Sequence, residues 1–134
     1  MEKYVISRTG DVPLKFEGIL IAESDGKWAA GKDQNRWHNL RIYRTSKGNF
    51  VAELEYLTCW QGELGFHAAT VCGSASEAAE WFKGGIPAIY VQGFPDKPEY
   101  QERQANLLGW IEKRLADQIS DLFDQISEVS AEEV

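Results

Sequence analysis

The sequence is short of the residues that announce a chemistry. It has two cysteines, Cys59 and Cys72, two histidines, His38 and His67, and one methionine. Two cysteines fit reduced, buried thiols better than a disulfide framework, which small secreted domains build from denser sets. No C-x-x-C, H-x-x-x-H or H-E-x-x-H spacing occurs, so no metal site is expected. On a regular strand His67 and Cys72, five residues apart, face opposite ways. Neither G-x-G-x-x-G nor G-x-x-x-x-G-K-[ST] is present, and no G-x-S-x-G elbow. No cofactor or activated serine is therefore expected. No apolar run approaches the roughly 18 residues of a membrane-spanning helix. Residues 1–6 lack the basic-then-apolar layout of an export signal. A cytosolic location, with no membrane partner, is the expectation.

Basic residues are also scarce, fourteen against twenty-one acidic ones, for a net charge of −7. Their distribution matters more than their sum. Residues 27–48 carry six basic side chains and one acidic, whereas residues 115–134 carry six acids and no base. The chain is a charge dipole, with a positive segment near its middle and a negative C-terminal end.

What is present describes one α+β domain over residues 1–134. A chain of this length buries about two-thirds of its unfolded surface, enough for a core without staples. Period-two alternation marks strands at about 3–8, 13–23, 36–45, 49–58 and 64–72, with a short sixth at 88–92. In the second strand Phe16, Gly18, Leu20 and Ala22 fall on one face. Ser46-Lys47-Gly48 is a tight turn with glycine where positive φ is wanted. Short connections make an antiparallel meander of five to six strands. Ser74-Ala75-Ser76-Glu77 has the form of a capping box and opens a helix over 75–83, stopped by Gly84-Gly85. A second helix spans about 97–128. Its seam of Leu108, Ile111, Leu115, Ile119, Leu122, Ile126 and Val129 repeats every 3.5 residues on average, and Asp-Gln-Ile-Ser recurs at 117–120 and 124–127, one heptad apart. Gly109 costs about 1 kcal/mol relative to alanine and is a candidate kink. Both helices are expected to pack on one face of the sheet.

Three stretches are candidate sites. The long connection at 24–35 is basic and contains Trp28, and the strand after it aligns Trp37, Asn39, Arg41 and Tyr43 on one face. Aromatics interleaved with arginines can stack bases and pair with phosphates. Lys27, Trp28, Lys32, Arg36, Trp37, Arg41, Tyr43 and Arg44 are thus the candidate surface for nucleic acid or an acidic partner. The same residues also suit a packed strand, since arginine stems cover apolar surface. Glu53 and Glu55 share a face of the fourth strand, and pairing through the turn sets Arg41 beside Glu53, an ordinary cross-strand ion pair. In the long helix, Leu115, Ile119, Leu122 and Ile126 form a partner or homodimer interface if the seam projects beyond the sheet. Trp60, in a glycine-containing loop, is a candidate anchor for the same interface.

The chain therefore reads as a small non-enzymatic cytosolic interaction protein, regulatory or inhibitory, acting through charged and aromatic patches on a protein partner or a second copy. The alternatives are a single-stranded nucleic-acid binder using residues 27–44, and an enzyme or small-ligand carrier with a pocket lined by tryptophan or histidine.

Overall fold

The computed structural model describes residues 1–26, 36–59, 64–84 and 98–130. Five strands, β1 (Glu2–Arg8), β2 (Asp11–Asp25), β3 (Arg36–Thr45), β4 (Phe50–Thr58) and β5 (Phe66–Cys72), form one antiparallel sheet in chain order. α1 (Ala75–Trp81) continues into a 3-10 turn at Phe82–Gly84, and α2 (Pro98–Ser130) is a helix of 33 residues. The α+β meander expected from hydrophobic periodicity is the fold adopted. Gly109 lies inside α2 without ending it. The strand expected at 88–92 lies outside the described residues.

Local chemistry explains the joints. Gly48, between β3 and β4, has φ +86°, which costs glycine nothing. Ser74 Oγ accepts from Glu77 N–H at 3.1 Å, and the Glu77 carboxylate reaches back to Gly73 N–H at 3.0 Å. The cap is thus reciprocal, with its return bond one residue earlier than in the standard box.

The sheet is curled. Thr9 N–H donates to the His67 carbonyl at 2.8 Å, and His67 N–H donates to Thr9 Oγ1 at 2.8 Å, joining the end of β1 to the start of β5. Curling creates two apolar layers. On one face Leu40, Ile42, Ala52, Leu54 and Tyr56 pack beneath Ala78, Ala79 and Phe82 and beneath the α2 seam of Leu115, Ile119, Leu122 and Ile126. On the other, Ile6, Tyr43, Val51 and Ala69, from four strands, meet inside the curl with Tyr4, Leu14 and Phe16 against them. That inner surface is the concave face.

β2 serves both layers. Leu20 pairs with Tyr43 but Ala22 pairs with Ile42, so Ile21 is an extra residue that bulges. The alternation expected to keep Phe16 and Ala22 on one face is broken here. Phe16 faces the concave cluster, while Ala22, 2% exposed, joins the helix-covered core. Earlier in β2 the strands approach so closely that a Cβ on Gly18 would lie 2.3 Å from the Arg44 carbonyl oxygen.

β1 pairs with β2 only as far as Gly18, and α2 reaches the strand beyond that point. Gln125 Nε2 donates to the Glu23 carbonyl at 2.8 Å and Oε1 accepts from Glu23 N–H at 2.9 Å, so one side-chain amide mimics a neighbouring strand. One heptad earlier, buried Gln118 donates to the His38 carbonyl at 2.9 Å and to Ser24 Oγ at 3.1 Å. The repeated Asp-Gln-Ile-Ser segment is therefore a docking device, with glutamine bonding backbone and isoleucine filling the core. Gln118→Leu strips a donor from buried oxygens, so unfolding free energy falls by about 2 kcal/mol in urea titration, with the helical circular dichroism of the folded state unchanged.

Candidate functional site on the concave face

The register of three strand pairs assembles the most concentrated group of ionisable side chains among the described residues. Glu23 pairs with Arg41, Arg41 with Glu53, and Glu55 with both Asn39 and His67. Arg41 sits at the centre. Its Nε donates to Glu23 at 2.9 Å, and one Nη donates to Glu53 at 3.3 Å and also to Glu55. Tyr43 Oη donates to the same Glu53 oxygen at 2.7 Å. His67 Nδ1 lies 3.6 Å from Glu55. The Glu53 side chain is 10% exposed and that of Arg41 26%, so both sit largely away from bulk water.

Burial by itself works against the Arg41 charge, but the hydrogen bonds and charges of Glu55, Glu23 and Glu53 outweigh it and raise its pKa. Burial, then the bond to Glu53 and its negative charge, push the Tyr43 phenol well above its ordinary range. Tyr43 is therefore a fixed donor at neutral pH. One cation faces three carboxylates, and its Nε and one Nη bond to them. The arrangement locks β2, β3 and β4 together, and it offers neither an activated nucleophile nor a free guanidinium.

This settles where the residues expected to form a basic surface lie. Arg41 is matched internally. Tyr43 is 4% exposed and packs tilted against Tyr4 and edge-on against Phe16, ring centroids 4.7 and 5.3 Å away. Arg44 is exposed on the opposite, helix-covered face, next in register to Ile19. Arg36 and Trp37 are half-buried at the start of β3, lining a cavity of about 20 Å³ with His38 and Trp110. The structure divides these side chains: Arg41 and Tyr43 belong to the concave face, Arg44 to the other, and Arg36 and Trp37 to the cavity beside α2. Lys27, Trp28, Lys32 and Trp60 lie outside the described residues.

The α2 seam also needs correction as a surface. Leu115, Ile119, Leu122 and Ile126 are between 0% and 6% exposed. They pack against the chain's own sheet, α1 and the 3-10 turn. The residues missed from sequence are Glu23, which needs the β2–β3 register, and Gln118 and Gln125, whose signal was the heptad repeat.

His38 and the cavities complete the inventory. His38 is 3% exposed, tilted against Tyr56 with ring centroids 5.2 Å apart. The adjoining 20 Å³ cavity holds roughly one water and no substrate. A wider hollow of about 410 Å³ beside α2 has Lys83 and Glu112 as its ionisable lining. Cys59 and Cys72 are free thiols, exposed and half-buried respectively, and His67 and Cys72 face opposite layers as their spacing predicts. Among the described residues no three of His, Cys, Asp and Glu are placed to hold a metal ion, and no helix is long and apolar enough to cross a membrane.

Comparison with protein-family models, with curated protein sequences and with solved structures finds no match for this chain.

Arg41→Met leaves three carboxylates together without their cation. Urea titration at neutral pH should show a loss of about 3 kcal/mol, and adding Glu53→Gln should recover part of it. Burial also lowers the His38 pKa from 6.5 to about 4. Between those values the unfolded chain binds a proton that the folded chain refuses, so stability is complete above pH 6.5 and falls as pH drops towards 4. The loss reaches about 3 kcal/mol over that window, and His38→Leu should flatten this limb of the pH–stability curve.

Proposed function

We propose that the chain is a non-enzymatic interaction protein that recognises a basic partner surface through the solvent face of α2, in a regulatory or inhibitory role. One observation carries this reading. With the apolar seam consumed by the sheet, the opposite side of the helix presents Asp117, Asp121 and Asp124, all exposed, at positions i, i+4 and i+7. Ala116 and Ser120, small and exposed, lie beside them, and Asp121 accepts from Gln125 Nε2 at 3.0 Å. No basic residue follows Arg114 in the sequence. Such a stripe steers a cationic partner and fixes its orientation more than it adds raw affinity.

The spending of Arg41 within the fold supports the same choice. The positive segment that would compete for a polyanion has lost its central cation to Glu23, Glu53 and Glu55. No observation among the described residues favours the nucleic-acid reading or a catalytic one.

The test uses the full chain immobilised at low ionic strength and challenged with extract from its own source cells. Basic proteins that it retains should elute as salt rises. They should bind about tenfold more weakly to the D117N/D121N/D124N variant, whose circular dichroism should be unchanged. Equal retention by both forms overturns the role of this face, and retention of single-stranded nucleic acid instead of protein overturns the partner class.

A further inference from the structure

A second concavity lies on the other side of the sheet from α2, at the mouth of the curl. Leu14 and Phe16 of β2, Val51 of β4 and Val71 of β5 line a hollow of about 180 Å³. An engineered apolar cavity of about 150 Å³ accommodates benzene, so this one suits a single ring with a small substituent. Its floor is held open. Phe16 is braced by Tyr4 and Tyr43, with ring centroids 5.4 and 5.3 Å away. Val71 pairs in register with Val51, yet Val71 is 54% exposed while Val51 is 2% exposed. Apolar surface is thus left uncovered on the β5 side of the pair.

The rim is rigid and cationic. The β3–β4 turn is tied by Thr45 N–H to the Asn49 carbonyl at 2.8 Å, Gly48 N–H to the Thr45 carbonyl at 3.0 Å, and Ser46 N–H to the Glu17 carbonyl at 2.8 Å. Lys47 sits in that turn and Lys15 lies at the edge, with Glu17 as the one acid in the lining. Among the described residues neither lysine forms a salt bridge. Lys15 and Glu17 alternate with Leu14 and Phe16 along β2 and so face the other side of the strand, which leaves Lys47 of the turn as the cation beside the apolar floor. Mouths of curled sheets are recurrent sites for ligands of this size and mixed character.

We propose that the mouth of the curled sheet binds a small carboxylate with a ring-sized apolar body, the body resting on Leu14, Phe16, Val51 and Val71 and the carboxylate meeting Lys47. The site shares no residue with the acidic face of α2, so either assignment can fail alone.

Benzoate is the probe, titrated into the isotope-labelled full-length chain and followed by backbone-amide NMR. Shift changes should saturate in the millimolar range and cluster at residues 14–17, 45–51 and 71. Lys47→Glu should weaken benzoate about tenfold and leave benzyl alcohol unaffected. Val71→Trp, at an exposed position, should fill the hollow and abolish binding of both probes while the rest of the spectrum stays folded. Shift changes scattered without saturation, or undiminished benzoate binding by Val71→Trp, overturn the site. Benzyl alcohol binding as tightly as benzoate overturns the carboxylate assignment.

Discussion

The bulge at Ile21 lets one strand of fifteen residues face two different layers. Before it, Leu14 and Phe16 point into the curl and build the aromatic cluster with Tyr4 and Tyr43. After it, Ala22 and Ser24 turn to the helices, and Ser24 meets Gln118. Without the extra residue one of the two layers would receive the wrong side chains, since a shift of one position moves every residue to the other face. The length of β2, the curl of the sheet and the seat of α2 all depend on this single irregularity.

The charges follow from the same geometry. Once β2 is in register past the bulge, Glu23 lies beside Arg41, completing a ring with Glu53 and Glu55. A cation that stands in a basic stretch of sequence is, in the fold, the neutralising centre of an acidic cluster. Negative charge is then displayed on α2, while Lys47, which forms no salt bridge among the described residues, sits at the mouth of the curl.

Much of this architecture was legible from residues alone, and the pattern of success is physical. The β3–β4 pairing came from the turn at Gly48, because a short turn fixes register, and with it the Arg41–Glu53 rung. The capping residues Ser74 and Glu77 located α1, and the 3.5-residue spacing located α2, since both signals are local. The bulge was hidden because Phe16, Gly18, Leu20 and Ala22 continue an unbroken alternation, and nothing in their types marks where the strand changes face. Glu23 and Glu55 escaped notice as partners of Arg41 for a related reason. The meeting of Glu23 with Arg41 depends on how β2 finds β3 across the long connection at 24–35, which no local rule specifies, whereas Glu55 reaches Arg41 diagonally across the β3–β4 pair. The glutamines of α2 announced themselves by repetition, but glutamine is equally at home on a wet surface, so the repeat alone did not say what they bind.

The amide bridge between Gln125 and Glu23 joins positions 102 residues apart, whereas every strand pair in the meander joins neighbours. Contacts of such separation carry a large loop-closure cost and form late. On the ribosome the second half of β2 is made early and its cover last, so the open backbone of a nearly finished sheet waits for the helix that shields it. In that interval the strand is a template for the wrong chain. The closing turns of α2 thus cover backbone that β1 leaves unpaired, as well as completing the core.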